Sequence, residues 1–558
     1  MSESEYVTDV VIVGSGGGLC GAVTAAAQGL ETLVIEKEPL IGGSTAMSGG
    51  VLWLPNNPLM QAEGVPDSFE QAMDYFDSVV GDVGPASSPE RRAAYVKEGE
   101  AMVRFLQGVG MSFRRCEGYS DYYAGMRGIQ GGSDRGRSIE ATFFDGHELG
   151  PWLDKIRPGM AAATPLAIYT GEVAPAQLFT RSTKSLRLAA RVGARTVAGK
   201  LKREERLTNG AALIGQTLRV ALAQELGIWT KTPLVDLLIE NGRATGVVAE
   251  RNGRTVTIRA RHAVLLSAGG FARNPEMRAR YGKQPSSTAW SIANPGDTGE
   301  VLEAAIGHGA AADLMDDAWW IPTSVFPDGR PNSHNGERSK PGSIVVDRSG
   351  RRYFNEAVSY MEAGRQMYAH NEDGGSIPSW LIIDSRNRGR YMWGTQRPGR
   401  TPEEWITSGY MKRADSLREL AEQCGVDPAG LEATVERFNS FASTGVDLDF
   451  HRGEGGHERF QGDFTHKPNP SLGPLDKPPY YAVALYPGDV GTSGGVLTDE
   501  FARVLNTAHE PIPGLYAAGN CTASVMGRSY PGAGASIGAS FVFSHIAMKH
   551  AAAELSAG

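Results

Sequence analysis

Residues 8–50 read TDVVIVGSGGGLCGAVTAAAQGLETLVIEKEPLIGGSTAMSGG. The run from Thr8 to Val13 is apolar, β-branched and stops at Gly14, which predicts a buried parallel strand. Gly14-Ser15-Gly16-Gly17-Gly18 then leads into a small-residue helix over 22–28, closed by Gly29. A second strand over 31–36 ends in Glu36. This is a β-loop-α-β unit of the dinucleotide type. Gly14 permits the tight turn. Gly16, flanked by Gly17 and Gly18, lets backbone N–H groups approach a pyrophosphate at the positive end of the helix. Glu36 lies twenty residues beyond Gly16, where an acid binds ribose hydroxyls. One departure stands out: Leu19 occupies the third glycine position of GxGxxG, between Gly18 and Gly21. How closely helix and strand pack is therefore open.

The chain around this unit has 558 residues, so two or more domains are expected. Hydrophobic residues make up 41% and charged residues 21%, a globular balance. The net charge of −8 argues against nucleic acid as a partner. Cys20, Cys116, Cys424 and Cys521 are scattered, with no CxxC pair, so neither a metal site nor a disulfide framework is expected. That suits a reducing cytoplasm. The acidic start, MSESEYVTD, does not read as a signal peptide. No apolar stretch approaches the roughly 20 residues of a membrane span.

Downstream, residues 211–227 read as a helix. A β-meander follows over 234–239, 245–249 and 255–260, with turns at Asn241-Gly242 and Asn252-Gly253. Residues 262–271 read as a buried strand running into Ala268-Gly269-Gly270, with His262 at its exposed end. Beyond 285 the glycine pattern stops, and 286–477 is richer in Trp, Tyr, Arg and Pro, with a helix pair over 416–424 and 428–441. From Pro478 the dinucleotide fold is expected to return, with Tyr480 and Tyr481 in the returning strand. A strand over 512–520 ends at Gly519-Asn520, and Pro531–Gly538 opens a last helix over 539–553. The bounds are thus 1–285 and 478–558 for a split cofactor domain and 286–477 for an inserted substrate domain.

Glu36-Lys37-Glu38 followed by Gly42–Gly50 (GGSTAMSGG) resembles the FAD-containing fumarate reductase and 3-ketosteroid dehydrogenase superfamily. The resemblance implies an α/β fold: a split Rossmann-type FAD-binding domain with an inserted α+β substrate (cap) domain. It places Glu36 and Lys37 at the adenosine end, and Gly43, Ser44, Thr45, Ser48, Gly49 and Gly50 along the pyrophosphate and flavin. Ala268 and Gly269 would cross beneath the adenosine, and Gly519 and Asn520 would close onto the ribityl chain. Ser536 and Ile537 would begin the helix whose positive end faces the flavin pyrimidine ring. Members that bind FAD covalently carry a His in the second loop. None is present here, which implies noncovalent FAD.

Within the superfamily the chain is similar to the 3-ketosteroid Δ1-dehydrogenases, most sharply at Tyr119-Ser120-Asp121-Tyr122-Tyr123, Arg351–Glu356 with Ser359-Tyr360, and Met526–Gly534 (MGRSYPGAG). Ala533 stands where members commonly have Pro. The match assigns the Tyr530 hydroxyl and the Gly534 N–H to the C3 carbonyl of a steroid. Tyr360 becomes the base for the C2 proton, with Tyr122 behind it, and the C1 hydride goes to flavin N5. Two donors on the ketone form an oxyanion hole. A phenol of pKa about 10 needs lowering or a relay to act as a base. Tyr119 and Pro531 are further substrate candidates. Trp319 and Trp320 either line the steroid pocket or fill the core of the inserted domain.

Residues 181–206 (RSTKSLRLAARVGARTVAGKLKREER) stand apart, with Arg187, Arg191 and Arg195 at four-residue spacing. The segment is either a basic amphipathic helix lying peripherally on an anionic membrane or a solvated helix. Other functions remain open: a 3-ketosteroid Δ4-dehydrogenase, a fumarate reductase-like enzyme clamping carboxylates with Arg273, Arg365 and Arg528, an electron-passing flavoprotein, or a steroid-binding protein without chemistry. The resemblance implies a steroid substrate and an external, quinone or dye-like electron acceptor.

Overall fold

The computed structural model describes residues 4–159 and 166–557, so the first three residues of the acidic start lie outside the described residues. The opening strand, Ser4–Val13, lies parallel to Thr32–Ile35 on one side and to Arg254–Leu266 on the other. Gly227–Trp229 extends the sheet beyond Thr32–Ile35, and Pro511–Ala517 extends it beyond Arg254–Leu266. Alternate residues enter two cores. Val10, Ile12 and Val34 pack with the helix Gly18–Ala27, whereas Val11, Val13, Leu33 and Ile35 pack on the other face. Both faces are covered, as a parallel sheet requires.

Leu19 at the third glycine position costs no closeness. A Cβ on Gly18 would stand 3.0 Å from Ile12, and one on Gly21 would stand 2.7 Å from Leu265. The helix therefore approaches the sheet through Gly18 and Gly21, while Leu19 is buried. The last helix, Ala535–Ala557, lies against Gly18–Ala27 and is joined to it by a Thr24–His545 hydrogen bond of 2.9 Å.

The meander appears as Leu234–Glu240, Arg243–Arg251 and Arg254–Leu266, with Asn241 and Asn252 at φ 53° in their Asn-Gly turns. Its last strand runs on without a break into the buried strand expected at 262.

A second, antiparallel sheet runs in the order Pro331–Ser333, Ala318–Val325, Tyr480–Thr492, Ser379–Asp384, Ser343–Val346, with Met411–Ala414 also paired to Tyr480–Thr492. The strand at 480–492 is central to the second sheet, and the first sheet resumes only at Arg503. The helix Glu300–Gly307 lies with the first sheet, where Val301, Leu302 and Ala305 pack against it. The helices Leu417–Cys424 and Pro428–Thr444 match the expected pair; Ser416 accepts from the Glu419 N–H at 3.1 Å and caps the first. A small sheet of Val51–Trp53, Ser138–Ala141 and Phe113–Arg115 was not anticipated.

Candidate active site

One cavity of about 670 Å³ is lined at one end by Gly14, Glu36 and Asp297 and at the other by Tyr122, Tyr360 and Tyr530. That size is ordinary for a small-molecule site.

The first end is built on backbone. Gly14 has φ 105°, and a Cβ there would collide with the Ser267 carbonyl. A Cβ on Gly16 would come 3.3 Å from the Thr45 hydroxyl, so the two glycine loops meet across this point. The Glu36 carboxylate accepts from the Ser15 N–H at 3.1 Å, the Ser15 hydroxyl at 2.6 Å and the Glu38 N–H at 2.9 Å. Burial nevertheless raises its pKa, more than these bonds oppose. The Ser15 hydroxyl also accepts from the Gly42 N–H at 2.9 Å, tying the loops together. Lys37 is held by Thr298 and Glu300.

Asn294 and Asp297 complete this end. The Ser44 hydroxyl donates to Asp297 at 3.0 Å and accepts the Asn294 N–H at 2.9 Å. Burial pushes Asp297 up to about 7. Asn294 Oδ1 is buried without a partner. An orphaned acceptor, a ribose-type carboxylate and a wall of glycine backbone fit a dinucleotide cofactor.

The other end is held by two interlocked loops. The Tyr122 N–H donates to the Pro531 carbonyl at 2.8 Å, and the Tyr75 hydroxyl donates to the same oxygen at 2.7 Å. Asp121 accepts from Trp53 Nε1 at 2.7 Å and from Arg137 at 2.9 Å, and Arg137 also binds Asp67 at 2.7 Å. Gly532 is required, since a Cβ would enter the Trp53 indole. Gly534, at φ 89°, presses against the Val51 carbonyl and directly precedes the last helix. Tyr360 begins the helix Tyr360–Gly374. Arg338 fixes the preceding turn through the carbonyls of Glu356 and Val358.

These loops bring three phenols together. Ring centroids lie 5.0 Å apart for Tyr360–Tyr530, 5.4 Å for Tyr122–Tyr360 and 5.8 Å for Tyr122–Tyr530. Tyr119 adds a fourth ring, 6.3 Å from Tyr122. The Tyr530 hydroxyl bonds the Ser536 hydroxyl at 3.0 Å. Burial, with the neighbouring phenols, raises Tyr122 and Tyr360 well above the phenol range, and burial pushes Tyr119 up to about 12. A phenol here gives up its proton only if the charge is passed on or balanced.

Of the residues expected at the site, Gly14, Gly16, Gly17, Glu36 and Lys37 line the cavity, as do Gly43, Ser44, Thr45, Ser48 and Gly49. Ala268, Gly269, Gly519, Asn520, Ser536 and Ile537 join them, with Tyr119, Tyr122, Tyr360, Tyr530 and Gly534. Five do not. Gly18 packs on the first strand, and Gly50, at φ 65°, presses against the Asn209 backbone. Pro531 spends its carbonyl on Tyr75 and Tyr122. Trp320 packs on Tyr368 and donates to Asp317 at 2.6 Å, so it belongs to the core. Trp319 supports rather than lines: it donates to Asn520 at 2.9 Å and sets its ring edge-on to Tyr530.

The arginines of the fumarate alternative are all occupied. Arg273 binds the Ala293 and Thr288 carbonyls, Arg365 the Arg528 carbonyl, and Arg528 Asp316 and Asp317. Ser15, Asn294, Asp297 and the hairpin residues Asn332 and Ser333 line the cavity but were not anticipated. The turn Asn294-Pro295-Gly296-Asp297 was the available signal, since such a turn marks a loop able to approach a ligand.

The FAD binding domain family matches residues 9–537. The chain is 41% identical to a 3-oxosteroid 1-dehydrogenase of Mycolicibacterium smegmatis, covering 100% of this chain and 99% of that protein. It is also 41% identical to a 3-oxosteroid 1-dehydrogenase of Mycobacterium tuberculosis, over 98% of each. Among solved structures it is similar to the 3-ketosteroid delta1-dehydrogenase from Sterolibacterium denitrificans in complex with 1,4-androstadiene-3,17-dione, at a TM-score of 0.92 and 36% identity, covering 98% of this chain and 100% of that one.

Proposed function

Since the chain belongs to the FAD binding domain family and, within it, to the 3-oxosteroid 1-dehydrogenases, we propose that it is an FAD-dependent oxidoreductase that introduces the C1–C2 double bond into 3-ketosteroids. The observation that carries this reading is the convergence of Tyr122, Tyr360, Tyr530 and Gly534 at one end of a glycine-walled cleft. FAD, when bound, accepts the hydrogen and electron pair that leave C1. Everything else falls to the chain's own residues. The glycine loops hold the pyrophosphate, and Glu36 takes the ribose hydroxyls. The Tyr530 hydroxyl and the Gly534 N–H donate to the C3 oxygen, which acidifies C2 and stabilises the enolate. Tyr360 receives the C2 proton, and Tyr122 orients it.

No histidine or cysteine lines the cleft among the described residues, which supports noncovalent FAD. An external acceptor, quinone or dye-like, takes the electrons onward. The test is product analysis: 4-androstene-3,17-dione with a dye acceptor should give the 1,4-diene. Desaturation only of a ring-saturated steroid at C4–C5 would replace the Δ1 reading by Δ4.

No helix among the described residues is long and apolar enough to cross a membrane. All four cysteines are unpaired, which supports a reducing, cytoplasmic setting. The segment 181–206 supports docking on an anionic bilayer. Its helix Thr183–Leu201 exposes Leu186 at 54%, Val197 at 56% and Leu201 at 80%, and leaves Arg187 and Arg191 exposed. Arg195 is not part of that basic surface, because it pairs with Glu172 at 2.5 Å. Replacing Leu186, Val197 and Leu201 with Ser should abolish co-sedimentation with anionic liposomes. Equal sedimentation of variant and parent would leave a solvated helix.

A further inference from the structure

The cleft runs on past the phenols, and the strand Ala318–Val325 shows its course. Trp319 stands edge-on to Tyr530 at 5.2 Å. Ile321, two residues further and on the same face, lines the cavity. Thr323 follows on that face and pairs with Ser333 of the strand Pro331–Ser333. Cross-strand partners share a face, so Ser333 belongs to the same wall, and it too lines the cavity. Four residues at a strand rise of about 3.3 Å each put Ser333 about 13 Å along the wall from Trp319. That is close to the length of a four-ring steroid nucleus.

The far wall is tied to the reacting end. The Arg338 guanidinium donates to the His334 carbonyl at 2.9 Å and to the Val358 carbonyl at 2.7 Å, so one side chain holds both the hairpin and the turn before Tyr360. The Asn335 carbonyl accepts from the Ser339 hydroxyl at 3.2 Å. The spacing between hairpin and phenols is therefore set by buried contacts rather than by a loose loop.

Ile321, Val490 and Pro331 make this part of the cavity wall apolar. Ser333 and Asn335, which also line it, break that surface. Among the described residues neither the Ser333 hydroxyl nor the Asn335 amide has a protein hydrogen-bond partner, and Asn335 Oδ1 is buried. Their neighbour His334 is spent elsewhere, on the Ser324 hydroxyl at 2.7 Å and on Asn332 Nδ2 at 3.2 Å. Leaving a polar side chain unpaired in an apolar wall costs stability unless a ligand supplies the partner.

We propose that Ser333 and Asn335 form the subsite for the far end of the steroid and select substrates that carry a hydrogen-bond acceptor at C17. This rests on the dehydrogenation proposed above, which puts the C3 ketone at Tyr530 and Gly534. With C3 fixed there, the nucleus extends along the wall and its fourth ring arrives at the hairpin. Asn335 Nδ2 and the Ser333 hydroxyl then donate to a C17 ketone oxygen. A substrate without that oxygen leaves both groups unpaired and is bound less well. The contact is remote from C1 and C2, holds substrate and transition state alike, and so acts through KM.

The experiment uses FAD-loaded enzyme, a dye acceptor and two steroids that differ only at C17: 4-androstene-3,17-dione, and androst-4-en-3-one, which has no C17 oxygen. The parent should favour the diketone by on the order of 10-fold in kcat/KM, expressed in KM. Asn335→Leu, which keeps the bulk of the side chain, should remove that preference, and Ser333→Ala should reduce it. A general loss of stability would lower both values and leave their ratio, so it cannot imitate this result. Equal kcat/KM for the two steroids in the parent would overturn the proposal, and so would an Asn335→Leu enzyme with the parental ratio. Should Asn335→Leu not fold, Ser333→Ala decides, and an unchanged ratio in it overturns the proposal. Failure of the dehydrogenase reading would show separately, as parent enzyme that converts neither steroid. The subsite is then read from the Kd of each steroid, by its perturbation of the flavin band, with the same preference expected and equal Kd values refuting it.

Discussion

Tyr530→Phe separates the chemical part of the active site from its packing. The Tyr530 ring packs on Tyr360, Tyr122 and Trp319, with centroids 5.0, 5.8 and 5.2 Å away, and Phe keeps this ring. The hydroxyl bonds the Ser536 hydroxyl at 3.0 Å and also bears on the Tyr360 hydroxyl. Losing that neutral bond costs about 1 kcal/mol of stability. Losing one of two donors to a developing oxyanion costs about 3–4 kcal/mol of transition-state stabilisation, or 10²–10³ in rate. The two effects differ enough to be told apart. Anaerobic stopped-flow of the FAD-loaded variant with 4-androstene-3,17-dione should therefore show flavin reduction slowed by two to three orders of magnitude, roughly, in a protein that melts almost as the parent does. Reduction at the parental rate would refute the oxyanion role. An equally large loss of stability would refute the claim that the hydroxyl is dispensable for packing.

Three further outcomes follow from the same geometry. Tyr360→Phe should retain FAD and bind steroid, yet slow turnover by on the order of 10²–10⁴, read as kcat against a steroid Kd. Glu36→Gln should weaken FAD by roughly 1.5–3 kcal/mol, because it removes a charged acceptor from the ribose position, and this is measured by flavin retained through gel filtration. Asp297, with its folded pKa raised to about 7 from an ordinary carboxyl value, binds its proton more tightly in the native state. It therefore favours folding below the unfolded pKa and loses that contribution as pH rises to about 7. Asp297→Asn should raise the Tm of the apoprotein more at mildly alkaline than at mildly acidic pH, and an equal gain at both would contradict the assignment.

Much of the cleft was legible because its determinants are local. The glycine loops at 14–17 and 43–49 adopt their turns from their own residues, and Glu36 follows at a fixed distance along a strand. The tyrosine motifs were legible only through resemblance, since nothing local says that Tyr122, Tyr360 and Tyr530 will meet. The misses have a common cause in tertiary context. Asn294 and Asp297 acquire their meaning from Ser44, some 250 residues away. The strand Tyr480–Thr492 has a buried pattern that suits either large sheet, and only its pairing with Ala318–Val325 and Ser379–Asp384 decides between them. The regular arginines of 181–206 look alike along the helix, but Glu172 claims Arg195. Trp319 and Trp320 are adjacent in a strand, so their side chains point to opposite faces, one toward Tyr530 and the other toward Tyr368.

The most direct test of the central claim is anaerobic addition of 4-androstene-3,17-dione to the FAD-loaded protein, with the oxidised flavin band followed in time and the steroid recovered for mass and double-bond analysis. The account predicts bleaching of the band and a product lighter by two hydrogens that carries a new C1–C2 alkene. An unbleached flavin with steroid bound, or equal bleaching by a steroid that lacks the C3 ketone, would contradict it.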